Sequence, residues 1–139
     1  VAQAEVKSLQ RIYSAWQRRD TAELRSSLAH DVEWIIPDAV PWGGVHHGPD
    51  GVEALVEIFD EHVEGIWADP DDFLQDGDWI VVLGRISGSG RISGQHFEVP
   101  FAHVWGMTDG VPSHFRSYFD ATPIMAALAG EAPAGIEPA

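Results

Sequence analysis

The chain is 139 residues long, carries 22 Asp+Glu against 8 Lys+Arg for a formal net charge of −14, and has no cysteine. The length suits a single domain. The acidic balance argues against nucleic acid and anionic membrane as partners, and the missing thiols rule out disulfides, thiolate nucleophiles and Cys-ligated metals. No apolar run approaches the roughly 20 residues of a membrane span and no leader is visible, so a cytoplasmic protein is expected.

Val6, Leu9, Ile12, Tyr13 and Trp16 recur at three- and four-residue spacing, one apolar stripe of a helix closed by Arg18 and Arg19. Asp20 with Glu23 reads as a capping box that opens a short second helix carrying Leu24 and Leu28. Residues 32–36 read as a strand stopped by Pro37, and residues 37–49 as a Pro- and Gly-rich loop. Asp50 with Glu53 reads as a second capping box, for a helix whose face is Val52, Leu55, Val56, Phe59 and Val63. Extended segments follow at 66–74, 79–87, 96–107 and 111–119. Turns are predicted at Asp76-Gly77-Asp78, Gly88-Ser89-Gly90 and Thr108-Asp109-Gly110. Pro100 inside the third segment suggests a bulge or an edge. One helical turn is expected over 124–128, and residues 131–139 form a Pro, Ala and Gly tail after a domain spanning 1–130. Helices first and strands later imply an α+β fold rather than a parallel α/β sheet.

The segments Asp76–Gly88, Phe97–Trp105 with Asp109-Gly110, and Phe115–Thr122 resemble the SnoaL-like family of the NTF2-like superfamily. Asp31-Val-Glu-Trp34 and Gly48–Val52 match its first strand and the helix after it. The resemblance covers about residues 5 to 128 and implies a cystatin-like cone, a curved antiparallel sheet wrapped on three helices around a pocket. The family includes polyketide cyclases, ketosteroid isomerases, limonene-epoxide hydrolases and non-catalytic members, so the fold does not fix the function.

Site by site, the chemistry thins out. Alignment to the ketosteroid isomerases puts Ile12, Ile36 and Ala102 where a Tyr, a carboxylate base and a protonated Asp are needed. Tyr13 is one residue off, about 100° of helix rotation. Alignment to the epoxide hydrolases keeps Arg85 but replaces both carboxylates, by Ser87 and Ser117. Alignment to the cyclases puts Ser117 at the acid/base position, with His103 the nearest match for the accompanying His. Arg85, Ser117 and His103 are therefore the candidate catalytic residues. Asp120 is read as a carboxylate at the end of a strand rather than a catalytic one, and His46-His47 lacks a third metal ligand.

The resemblance places Trp16, Trp34, Ile36, Phe59, Ala102, Val104, Phe115 and Phe119 in a substrate pocket beside Arg85, Ser87 and Ser117. Arg85 there would favour an anionic ligand; were Ile86 the inward residue instead, Arg85 would face solvent. The opposite sheet face would carry Phe101, His103, Trp105, His114, Arg116 and Tyr118, an aromatic surface expected to form a homodimer. His103 thus has two conflicting assignments. No cofactor or metal is expected. The leading function is a small-molecule binder or cofactor-independent isomerase- or cyclase-type enzyme. The alternatives are a non-catalytic ligand-binding or interaction domain and a diverged epoxide hydrolase.

Overall fold

The computed structural model describes residues 2–130, with side chains from residue 4. The tail over 131–139 lies outside the described residues. The elements are α1 (Ala2–Arg18), α2 (Thr21–Ser27), β1 (Glu33–Ile36), β2 (Gly44–His47), α3 (Gly48–His62), β3 (Val63–Asp76), β4 (Trp79–Gly90), β5 (His96–Thr108), β6 (Val111–Phe119) and α4 (Thr122–Ala129). The fold is α+β: four helices and one curved, unclosed sheet of six strands in the order β2-β1-β6-β5-β4-β3.

Periodicity explains most of this. The stripe of α1 is buried as Leu9, Ile12 and Tyr13, with Trp16 packed at its margin. Asp20 caps α2, its Oδ1 accepting the Glu23 N–H at 3.1 Å. The expected second capping box is different. Helix α3 begins at Gly48, with Pro49 in its first turn, where a missing N–H costs nothing. Asp50 and Glu53 instead hold Arg25 at 2.6 and 2.9 Å, tying α3 to α2. Val63 has left the helix and opens β3.

The sheet is mixed rather than wholly antiparallel. β3, β4, β5 and β6 form the expected meander, but β1 pairs parallel to β6, Trp34 opposite Phe115. The loop expected over 37–49 contains β2, which pairs with β1. Strand β4 runs on through the turn expected at 88–90. Gly84 and Gly88 face inward there, where a Cβ would stand 2.8 Å from the Phe101 ring and 3.2 Å from the Phe97 ring. An added carbon would first meet the Asp69 carbonyl oxygen at Gly84 and the Val63 side chain at Gly88, so these glycines make room for β3 as well as for the two rings.

Two features of β5 and β6 set the inner face. At Pro100 the β4–β5 register is unbroken, and the β5–β6 pairing begins only at Phe101 opposite Phe119. Pro100 therefore lies where β5 has one neighbour and its missing N–H interrupts no ladder. The irregularity is at the other end: Met107 pairs with Pro112 and Gly106 with His114, so Ser113 is surplus. Were Ser113 paired with Gly106 in regular alternation, without a bulge, Val104 would stand opposite Phe115 and Ala102 opposite Ser117. With it, Trp105 meets Phe115 and His103 meets Ser117. One extra residue thus reverses which side chains of β5 share a face with Phe115 and Ser117.

Candidate functional site

The inward residues enclose a cavity of about 660 Å³, open mouth included. Helix α1 contributes Ile12, Tyr13 and Trp16; β1 contributes Trp34 and Ile36; α3 contributes Phe59. Trp42 reaches in from the segment before β2. Ile66, Ala68 and Ile86 come from β3 and β4; Phe97, His103 and Trp105 from β5; Phe115, Ser117 and Phe119 from β6; and Ile124 from α4. The rings brace one another. Trp34 stacks on Phe115 at 4.1 Å, and Phe59 meets Trp16 edge-on at 5.3 Å and Trp42 at 4.6 Å.

Polar atoms gather at one place. Tyr13 Oη lies 2.6 Å from His103 Nδ1, and Trp105 Nε1 donates to the same Oη at 3.1 Å. The indole can only donate, so the phenol accepts from Trp105; His103 Nδ1 is then the one partner able to accept the buried phenol hydrogen, which assigns the phenol as donor to Nδ1. The imidazole is then the neutral Nε2–H tautomer. Burial favours the neutral forms of both groups: it lowers His103 to about 3 and pushes the Tyr13 phenol far above its usual value, against the smaller lowering effect of the Trp105 hydrogen bond. The rings of Phe101 and Phe115, 3.8 and 4.7 Å from that of His103, complete the apolar surround. Ser117, 4% exposed, is the cross-strand partner of His103.

The structure brings Trp16, Trp34, Ile36, Phe59, His103, Phe115, Ser117 and Phe119 to one cavity. It removes four of the expected wall residues. Arg85 points outward, 62% exposed at the side chain, with Glu98 3.1 Å away. Ser87 shares that orientation, and Ile86 is the inward residue between them. Ala102 and Val104 also face out, because the bulge at Ser113 puts Phe101, His103 and Trp105 inside. The same shift removes Phe101, His103 and Trp105 from the expected dimer face and resolves the double assignment of His103. His114, Arg116 and Tyr118 remain on the outer side.

Sequence reasoning missed Trp42, Ile66, Ala68, Phe97 and Ile124 in the wall, and with them Tyr13 and Trp105, the two that carry the hydrogen-bond string. Two adjacent helix positions both border the space, so the 100° step that separated Tyr13 from Ile12 did not take it out of the wall. Asp120 lies outside the cavity wall. Its Oδ1 accepts the Thr122 N–H at 3.0 Å at the start of α4, which holds its carboxyl below the usual range. His46 Nε2 lies 2.9 Å from the Trp42 carbonyl oxygen. Among the described residues no helix is long and apolar enough to cross a membrane.

The sequence matches the SnoaL-like domain family over residues 9–111. No curated protein matches the chain. Among solved structures it is similar to an NTF2-like protein of unknown function from Burkholderia pseudomallei: 30% identity, 90% of this chain and 97% of that one, TM-score 0.84. An NTF2-like protein from Burkholderia thailandensis shares 27% identity over 89% of this chain and 96% of that one, TM-score 0.83. At 23% identity, TerC co-crystallised with polyporic acid has the same fold, covering 91% of this chain and 98% of its own, TM-score 0.84.

Proposed function

The chain belongs to the SnoaL-like domain family, and on that premise we propose that it binds one small, largely apolar, ring-bearing molecule in the cavity. The observation carrying this reading is the wall. Trp16, Trp34, Trp42 and Trp105, with Phe59, Phe97, Phe115 and Phe119, surround a space whose polar atoms converge at one point. Such walls suit flat ligands oriented by a few hydrogen bonds. Among the described residues no carboxylate, Lys or Arg lines the cavity. An imidazole lowered to about 3 is a weak base, so the site favours holding a neutral molecule over abstracting a proton from carbon. An isomerase- or cyclase-type reaction here would depend on polarisation by neutral donors.

The tryptophans supply the test. The chain has six, and two of them, Trp67 and Trp79, are each 50% exposed outside the wall. Titration with isopropylbenzene or acetophenone should shift the indole N–H resonances of the four wall tryptophans and leave those two in place. No shift, or shifts confined to Trp67 and Trp79, would remove the reading.

The expected homodimer is proposed through the outer face of β4, β5 and β6. Leu83, Ala102 and Tyr118 lie in one cross-strand row there, with Val81 and Val104 in the next. A stable dimer needs about 800 Å² from each partner; these apolar residues, with Arg116 beside Val104, would form the centre of that contact. Sedimentation at roughly 50 µM should give a dimer that Leu83→Asp dissociates. A monomeric wild type would overturn the assignment.

A further inference from the structure

We infer that the ligand carries an uncharged acceptor oxygen, of ketone, quinone or lactone type, seated against His103 Nε2 and Ser117 Oγ. This rests on the reading of the cavity as a small-molecule site and names the chemistry that site selects.

Three observations support it. First, both atoms are unpartnered and open to the cavity. His103 Nδ1 is taken by Tyr13, and among the described residues no hydrogen bond reaches Nε2 or Ser117 Oγ. Among the described residues only Gln75 Oε1 is a side-chain polar atom sealed from solvent without a partner. His103 Nε2 and Ser117 Oγ are therefore unsealed, although their residues are only 6% and 4% exposed. An unpaired polar group in an apolar cavity is costly unless something in that cavity meets it.

Second, the group on offer at Nε2 is a donor. Trp105 donates to Tyr13 and Tyr13 to His103, which leaves the Nε2 hydrogen as the end of the string. Hydrogen bonds aligned in one direction polarise one another, so this N–H is a better donor than an isolated imidazole. Ser117, the cross-strand partner of His103, also lines the cavity and can turn its hydroxyl hydrogen inward as a second donor.

Third, the surroundings disfavour charge. Among the described residues no cation lines the cavity, and the chain carries a net charge of −14. A carboxylate entering this space would lose its hydration without gaining a counter-ion. A carbonyl loses less and gains the donors. Tyr13 is a positioning residue here: it acts through His103 by fixing the tautomer.

The test compares acetophenone, its apolar isostere isopropylbenzene, and benzoate on the intact chain. Acetophenone should bind about tenfold tighter than isopropylbenzene, the worth of one net hydrogen bond, and tighter than benzoate. His103→Phe should cut the preference to the roughly threefold share left to Ser117, whereas His103→Gln, which keeps a donor N–H, should preserve the preference. Should His103→Phe fail to fold, Ser117→Ala should lower the ketone preference about threefold without weakening isopropylbenzene. Tyr13→Phe should reduce the preference and change the imidazole ¹⁵N signature together. Equal binding of ketone and hydrocarbon to the wild type, or benzoate as the tightest ligand, overturns the inference while leaving the cavity reading standing. Binding of neither aromatic overturns both.

Discussion

The two faces of β5 and β6 are built from alternate residues of the same strands, yet they differ in almost every physical respect. Inside lie Phe97, Val99, Phe101, His103, Trp105, Phe115 and Ser117, all buried. Outside lie Glu98, Pro100, Ala102, Val104, Arg116 and Tyr118, exposed or half-buried. A polar group on the inner face is held in a string of hydrogen bonds, whereas on the outer face Arg85 and Glu98 meet as a solvent-exposed pair. Alternation alone gives each strand two faces. What joins the correct face of β5 to the correct face of β6 is the bulge that leaves Ser113 out of the pairing.

The largest effect should come from upsetting that phase. Deleting Arg116 would keep Phe115 opposite Trp105 but turn Ser117 and Phe119 outward and Tyr118 inward. The chain should lose its cooperative thermal transition, as followed by circular dichroism. Deleting Ser113 removes only the surplus residue and leaves His103 opposite Ser117, so it should cost about 1 kcal/mol and retain the fold. Comparable losses from the two deletions would refute the role given to the bulge.

Next in size are truncations on the two faces. Trp105→Ala empties a fully buried site and removes one of the two hydrogen bonds of the Tyr13 hydroxyl, and should cost about 3–5 kcal/mol in chemical denaturation. Leu83→Ala on the outer face, measured on the monomeric form, should stay within about 1 kcal/mol.

The acid sensitivity of the inner face follows from His103. Its folded value of about 3 lies below the unfolded value near 6.5. Between these limits the unfolded chain binds the extra proton, so this contribution is fully present above about pH 6.5 and is lost as pH falls towards 3. The slope should approach about 1.4 kcal/mol per pH unit, and His103→Gln should flatten it. An unchanged slope in that variant would assign the acid sensitivity elsewhere.

The smallest effect belongs to the outer face. Arg85→Met breaks one exposed ion pair and should alter stability by no more than about 0.5 kcal/mol. It should leave the affinity for acetophenone and for benzoate unchanged. A specific loss of benzoate binding would return Arg85 to the site.

The helices and the strand meander were legible because periodicities of 3.6 and 2 survive in the apolar residues, from Leu9–Ile12–Trp16 to Phe115–Phe119. The cap at Asp20 was legible because a carboxylate before Glu23 has one obvious N–H to accept. The cavity was legible only by halves. On β6, Phe115, Ser117 and Phe119 line the wall as expected, but on β5 the phase was lost, since alternation cannot report a surplus residue in the neighbouring strand. Two signals were there: Gly106 inside one strand and Pro112 near the start of the other, both residue types that mark irregular pairing. Arg85 was misplaced for a different reason. The family resemblance points Arg85 inward, against the local pattern in which Ile80, Val82 and Ile86 form the inward row.

The state of His103 is the most direct test of an inner face built to offer a neutral donor. A ¹H–¹⁵N spectrum of the imidazole, recorded from roughly pH 8 to pH 5, should show the Nε2–H tautomer throughout, with Nε2 alone shifting when acetophenone is added. A His103 that carries its proton on Nδ1, or that titrates with a midpoint near the ordinary histidine value, would contradict the account.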